Sequence, residues 1–589
     1  MTVPSSRLRL AAVAAGVGLI ATTAAAAITE AAFAVGADPS FGSGGVVQLN
    51  LSTTGSDRLF ATASGAGDVT YHAGYTTVSG TNRAFVVAKT TATGALDTAF
   101  GNAGVAVVDV NPGPFTSPAT GATESARGIA VRPNGKVVIL GQAETPQAGA
   151  ADPADVDIYV AQLNANGTLD TSFGVAGVTR VDLSPGTGTG VSRDQAGYNI
   201  SLRPDGKAIF TASQGLDSTR TNREIAAVQL TESGQLDTTF SGDGIATTVN
   251  PSETSENPRR GFVDAQGRYI TSAYSAVGTG KNQPWIYRFN ADGTLDSTFG
   301  TGGIATAKPG GADGIIEAYG IEPQGDKYVI AGYGGRDTEL ATHDEDAVIY
   351  RFTQSGALDT TFGTNGLTTV NRENPSKPAG GKDFLDRARG LTVLPDGRIV
   401  TAGNSGPDAF TAVLTPNGQL DTTVSPTGTF LFDFGGDADT FWGISVVDSG
   451  RSVVMSGYGG FADATKLAAD ASTVVKLNIS DPAPAVPPAS TTIASTTTAK
   501  FAKRTVSAKK RAVVKVRIAA SGVVPTGTVK VLDGAKVIKT VKLSAGAKGS
   551  LSIKLPKLKK GKHKISVTYS GDAKTAASKS KTVVLKVKR

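Results

Sequence analysis

The sequence predicts an all-β protein, a seven-bladed β-propeller of four-stranded blades followed by an Ig-like β-sandwich. Three observations carry that prediction. A turn-rich motif, "GTLDTSFGVAG" at Gly167–Gly177, occurs six times, with a seventh, truncated copy near the start. Between copies the same short apolar runs return in the same order. Beyond residue 500 the pattern changes to alternating apolar and basic residues, the two-residue period of a half-buried strand. A length of 589 residues exceeds one ordinary core and suits an array plus a further domain.

Residues 1–34 read as a secretory signal peptide. Arg7 and Arg9 supply the charged region, "LAAVAAGVGLIATTAAAA" the apolar run and "AFA" at 32–34 a small-residue cleavage site, with a cut near Ala27 the alternative. The run is too rich in small residues and too poorly flanked for a membrane anchor. The mature chain is therefore expected to be secreted or extracellular, loosely associated with the cell envelope and without a transmembrane anchor. The sequence contains no Cys, which excludes disulfides, thiolate nucleophiles and cysteine-based zinc or iron–sulfur sites.

The array occupies 35–478. Its copies begin at Ala37, Gly94, Gly167, Gly234, Gly293, Gly356 and Gly418, and the motif aspartates are Asp38, Asp97, Asp170, Asp237, Asp296, Asp359 and Asp421. Each block holds four apolar runs, here a to d: one after the "FG" turn, two flanking a "PNGK" or "PDGK" turn, and one leading into the next motif. Asn-Gly and Asp-Gly suit tight hairpins because glycine tolerates positive φ. Four short strands repeated seven times, each block burying its neighbour's face, give a propeller. A motif needed once per blade is expected to be scaffolding, a turn between blades. Its aspartate would accept N–H bonds within the turn and its phenylalanine (Phe41, Phe100, Phe173, Phe240, Phe299, Phe362) would wedge between blades. The competing reading, repeated calcium loops, lacks the D-x-D-x-D-G spacing.

The recurring "NxxGxLDxxFGxxG" followed by "PDGK" resembles the delta-60 repeat family, a bacterial group predicted to form propellers, over roughly 38–478. The resemblance implies the fold and brings no activity with it. The last copy departs from the pattern, with Val424 in place of phenylalanine and Pro426 after it.

Strand alternation puts the b–c and d–a turns on one face of the disc and the a–b and c–d loops on the other. The loops vary in length and composition (111–126, 143–156, 371–386), so their face is the expected binding surface. Two polar columns enter it. Just before strand b stand Arg58, Arg127, Tyr198, Arg260, Tyr319, Arg389 and Trp442; at the entry to strand d stand Asp157, Glu224, Asp346 and Asp408, with Gln283 breaking the series. One reading makes them inter-blade arginine–carboxylate forks. The other makes them a ligand surface at the channel mouth, stacking on and hydrogen-bonding a glycan or peptide. No cofactor is expected; an ion, if held, would be calcium (Ca2+) at Asp155, Asp157, Asp344, Glu345 or Asp346, whose acidic signals are short. The three His (His72, His343, His563) form no HExxH pair, and no G-x-S-x-G elbow or P-loop is present. A carboxylate-pair enzyme needs none of these, and the sequence selects no such pair.

Residues 479–497 form a Pro/Ala/Ser/Thr-rich linker. The module at 498–589 has the strand count and size of an Ig-like sandwich, and "PTGTVKVLDG" and "GKHKISVTYSGD" resemble bacterial Ig-like repeats of surface proteins, with Tyr569 at a position where such domains hold a tyrosine. Residues 500–589 contain 25 Lys and Arg against Asp533 and Asp572, whereas 35–499 contain 30 basic and 47 acidic residues. Lysine without interleaved aromatics argues against specific nucleic-acid binding. An anionic envelope polymer or polysaccharide is the expected partner, unless the acidic propeller docks on its own tail. The expected function is a non-catalytic surface or extracellular binding or adhesion protein. The alternative is a secreted propeller hydrolase or lyase acting on polysaccharide, with the tail as targeting module.

Overall fold

The computed structural model describes residues 8–9, 35–52, 55–79, 82–110, 124–145, 155–183, 195–215, 223–248, 256–277, 281–307, 314–336, 345–372, 384–434, 438–459, 471–479, 495–520, 523–534, 536–572 and 574–589. Two compact units, 1–483 and 484–589, divide the chain.

The first unit is a closed ring of seven sheets, antiparallel except where Leu8–Arg9 pairs parallel with Thr429–Asp433. The first blade runs Asp57–Ser64, Thr70–Ser79, Asn82–Thr90 and Val105–Val108 from the channel outward. The other inner strands are Ser125–Val131, Gln195–Leu202, Glu256–Val263, Gly314–Gln324, Asp386–Val393 and Thr440–Val447. Middle strands are covered on both faces, which is why they read as unbroken apolar runs. Asp408–Leu414 is buried at every position, whereas the outer Val105–Val108 alternates between buried and exposed.

This topology corrects the phase of the blocks. Run a, after the motif, pairs with run d before it, so each blade is ordered b-c-d-a and the motif turn lies within a blade. The turn still reaches the next blade: the N–H of Gly101 donates to Asn166 O at 2.7 Å, and that of Gly174 to Ser233 O at 2.8 Å. Phe173 packs on Gly234 of the following blade, whose φ is +85° and where an added Cβ would meet the ring at 2.8 Å. The seventh blade takes its outer strand from the other end of the array: Val46–Leu49 pairs with Ala471–Asn478 and closes the ring. The aberrant last copy lies in the sixth blade, next to that seam.

Every motif aspartate works in two directions. One oxygen accepts the N–H two residues on, as Asp170 does from Ser172 at 3.2 Å. The other meets a cation: Lys89 for Asp97, Lys136 for Asp170, Lys207 for Asp237, Arg268 and Arg288 for Asp296, Lys327 and Arg351 for Asp359, Arg398 for Asp421 and Lys476 for Asp38. Most of these cations end the "PNGK" turn, so the two repeated motifs of a blade are electrostatic partners. Burial alone would raise the carboxyls of Asp170, Asp237 and Asp359. The hydrogen bonds from lysine, hydroxyl and amide or guanidinium groups outweigh it and hold all three well below the usual carboxylate range. A folded pKa below the unfolded one contributes stability that is complete above about pH 4 and is lost as pH falls toward the folded value. The melting temperature is therefore expected to be flat from neutrality to about pH 5 and to fall steeply below about pH 4. Asp170→Asn is expected to cost about 2 kcal/mol in urea unfolding and to soften that acid limb. An unchanged acid limb would show that other carboxyls control it.

The second unit is a β-sandwich. Ser495–Phe501, Val513–Ala520 and Ser550–Lys554 form one sheet; Thr505–Ser507, Val583–Lys588, Gly561–Tyr569, Gly527–Asp533 and Lys536–Leu543 form the other, with Ser578–Lys579 at its edge. The core is the unit's own, built on Val514, Val516, Ile518, Val529, Val531, Ile565, Val567 and Leu585. Tyr569 is buried and donates its hydroxyl to Thr526 O at 2.5 Å.

Candidate functional site: the propeller channel

All seven inner strands carry a β-bulge at the same level, seen as a register shift against the second strand. A bulge turns its extra residue out of the ladder, and here the ring carries Phe60, Arg127, Tyr198, Arg259, Tyr319, Arg389 and Trp442 at this level. Two assignments are thereby corrected. Arg58 stands two residues before the bulge and lies over Tyr458 at 4.3 Å, while Phe60 takes the blade-one place. In blade four Arg259 holds the bulge position and Arg260 follows it, where four other blades have Gly128, Gly320, Gly390 and Gly443. The column also lies within the inner strands rather than before them.

These side chains meet across the ring. Trp442 stacks on Tyr198 with centroids 5.2 Å apart and meets Phe60 edge-on at 5.5 Å. The Arg389 guanidinium lies 4.3 Å over Trp442, and that of Arg259 4.3 Å over Tyr319 and 4.5 Å over Tyr274. Arg259 also donates to the hydroxyls of Tyr274 at 2.7 Å and Tyr319 at 3.1 Å. Arg260 reaches over to the carbonyls of Trp442 at 2.6 Å and Phe60 at 3.3 Å. The channel is thus filled at bulge level by an arginine–aromatic plug. Burial would raise the Tyr198 phenol, but Arg127, Arg259, Arg389 and Arg260 around it bring it below its ordinary value. On the loop side of the plug, Tyr75, Tyr274, Tyr333 and Tyr458 lie with Arg58, Arg83, Arg387 and Arg389 among them.

Among the described residues, the acids at the entry to strand d that have ion pairs, Asp157 and Asp408, take arginines outside this column. Asp157 is buried and takes Nε of Arg180, from the outer strand of its own blade, at 2.6 Å. Asp408 takes Arg372 at 2.9 Å, and Gln283 donates to Thr306 at 2.6 Å. Glu224 is half-buried, with its carboxyl raised by burial, and Asp346 is half-buried at the start of its strand. Asp344, His343 and most of the three variable loops lie outside the described residues, as does the Asp155 side chain. Among the described residues no group of three or more His, Asp or Glu could hold a metal ion. His72 is fully buried among Thr62, Thr70 and Thr90, and burial lowers it to about 3, so it is neutral.

A second acidic column, which the sequence reading missed, begins the inner strands. Asp57, Glu124, Glu256, Asp386 and Asp439 stand three residues before the bulge, each at most 1 % exposed. Four of them bind backbone: Asp57 accepts from Leu51, Ser52 and Ser472, Glu256 from Ile225, Asp386 from Arg372 and Asp439 from Phe434. The signal was an acid at constant spacing ahead of the arginine–aromatic column.

Below the plug, on the side of the short b–c turns, the channel opens into a cavity of about 350 Å³ lined by Thr62, Ser64, Tyr198, Asn199, Arg260, Glu322, Thr392 and Ser445 among others. This cavity lies on the face opposite the variable loops, most of whose residues lie outside the described ones.

Residues 132–173, 267–299 and 394–423 match the family described as "Domain of unknown function (DUF5122) beta-propeller", and residues 486–588 match "Bacterial Ig-like domain (group 3)". Three stretches of the ring thus match a DUF5122 propeller, and the second unit matches a bacterial Ig-like domain. No curated protein matches it. Among solved structures, a protein of unknown function from Dyadobacter fermentans is similar over 61% of this chain and 95% of its own, at 11% identity and a TM-score of 0.35. A sialidase of Trypanosoma rangeli is similar over 59% of this chain and 54% of its own, at 11% identity and a TM-score of 0.35. A GH43 β-xylosidase/α-arabinofuranosidase from a compost microbial metagenome is similar over 60% and 90%, at 13% identity and a TM-score of 0.28. The chain spans about half of the trypanosomal sialidase. No helix among the described residues is long and apolar enough to cross a membrane.

Proposed function

We propose that the chain is an exported, non-catalytic binding protein of the cell surface. Its propeller presents the arginine- and tyrosine-lined channel mouth to a glycan or protein ligand, and its Ig-like domain attaches by charge to an anionic envelope polymer or polysaccharide. One observation carries the attachment. In the Ig-like domain both acids are already engaged: Asp533 with His563 at 2.5 Å, and Asp572 with Thr526 and Thr575. Among the described residues of this domain no Lys or Arg makes an ion pair. On the three-stranded sheet, Lys500 lies opposite Lys515 and Arg517 opposite Thr498 and Ser550, all facing outward, with Lys554 exposed beside them. A flat face of cations and hydroxyls suits a polyanion bearing both charge and polar groups. The enzyme reading asks for two carboxyls at one site, and one carboxyl, Glu322, lines the channel cavity.

The test separates the units between 483 and 484, each having its own core, and sediments them with isolated envelope material across a salt series. The Ig-like fragment is expected to pellet alone and to release as the Debye length falls from about 10 Å at 0.1 M salt to about 3 Å at 1 M. Lys500, Lys515, Arg517 and Lys554 changed together to Glu should abolish pelleting. A fragment that stays in solution at low salt would defeat the attachment reading and favour docking on the acidic propeller.

A further inference from the structure

The cavity below the plug breaks the symmetry of the ring. At the level of Glu322 the other six inner strands carry alanine, serine, threonine or phenylalanine, and none carries a charge. Arg260 is equally singular, because it occupies a level where its neighbours have glycine, alanine or asparagine. Blades four and five therefore place one cation and one acid on the same 350 Å³ space.

The two do not neutralise each other. Their charged atoms lie more than 4.0 Å apart. One Nη of Arg260 is anchored on the carbonyls of Phe60 and Trp442, which fixes the guanidinium, while its buried Nε has no acceptor among the described residues. Glu322 receives no hydrogen bond from any described residue. Burial lowers Arg260 to about 10 and raises Glu322 to about 7, the direction expected of opposite charges held in one poorly solvated space without contact. Thr62, Asn199, Thr392 and Ser445 also line the cavity, and Ser64, at the end of its strand, is exposed, so the cavity reaches solvent on the short-turn face.

We propose that this cavity is a binding site for a small zwitterion, a free α-amino acid or a dipeptide, whose carboxylate lies on Arg260 and whose ammonium lies on Glu322. The volume lies at the small end of ligand pockets, which suits a ligand of this size. Both ends of such a ligand would receive a charge-assisted hydrogen bond, the stronger kind, from groups already fixed by the ring. The site lies on the opposite side of the plug from the channel mouth and stands independently of any ligand there.

The experiment is isothermal titration of the full chain with L-alanine, L-serine and glycylglycine. N-acetyl-L-alanine, which lacks the ammonium, and L-alanine methyl ester, which lacks the carboxylate, serve as controls. Saturable binding of at least one zwitterion is expected, weakened at least tenfold in each control. Glu322→Gln, which keeps the shape, should weaken the zwitterion at least tenfold and leave N-acetyl-L-alanine unchanged. Thr392→Leu, which fills the cavity without touching the plug, should abolish binding while urea unfolding verifies the fold. Absence of heat with every zwitterion, or binding indifferent to both substitutions, would overturn the proposal. Glucuronate binding equally well to wild type and Glu322→Gln in place of any zwitterion would do the same.

Discussion

Replacement of Lys476 by methionine is expected to lower the propeller's unfolding free energy by about 3–5 kcal/mol, the cost of leaving buried carboxylates without their partner. Lys476 sits on the third strand of the seventh blade with 7% of its side chain exposed, 2.9 Å from Asp38 and 2.8 Å from Asp448. Burial would lower its ammonium; the hydrogen bonds it donates to Asp448 and Asp38 more than restore it, and its pKa is raised. Asp38 belongs to the N-terminal segment that supplies the outer strand of this blade, so the lysine ties the two ends of the array together. Urea unfolding of Lys476→Met and Asp38→Asn and of the double variant tests this, and the double variant is expected to recover part of the loss. A change in Lys476→Met below about 1 kcal/mol would mean that the pair behaves as a surface ion pair, and that closure rests on the strand hydrogen bonds and on Phe41 and Leu49.

The same seam shows how far the repeat could be read from sequence. Seven blocks and four strands per block were legible because turn chemistry and apolar runs recur in register. The phase of the blades was not, since a perfect repeat can be cut at any point, and only pairing across the d–a turn shows that run a belongs with the run before it. Nor was the ionic role of the motif: the lysine of "PNGK" and the aspartate of "LDTSF" are 34 residues apart in Lys136 and Asp170 and meet only because strands b to d fold back.

The channel column was partly legible. Arg127, Tyr198, Arg389 and Trp442 each stand eight residues before the glycine of the b–c turn, and the same count from Gly267 gives Arg259 rather than Arg260. In blade one the left-handed turn position is held by Asp68, φ 58°, and eight residues back from it is Phe60 rather than Arg58. An extra bulge residue shifts the two-residue period by one, so alternation alone misplaces what lies beyond it. Glu322 had no motif to announce it. It stands out only once the ring has put six uncharged residues at its level.

The plug itself carries the other large expected effect. Trp442→Ala removes the stack on Tyr198, the edge contact with Phe60 and the platform under Arg389, and is expected to cost about 3–5 kcal/mol. Trp442→Phe keeps a ring in the stack and should retain most of the stability. The arginines decide how the loss is distributed. With the indole gone, Arg389 loses its cation–π partner, whose worth in a desolvated setting is about 2 kcal/mol. A double-mutant cycle of Trp442→Ala with Arg389→Ala should therefore show a coupling of about 1–2 kcal/mol. If Trp442→Ala costs less than about 1 kcal/mol, the blades are held by their buried acids and motif turns alone. The channel aromatics would then be kept for what they contact rather than for stability. A full-sized loss with no coupling to Arg389 would instead place the indole's contribution in its contacts with Tyr198 and Phe60, leaving the guanidinium free to meet a ligand from the loop side.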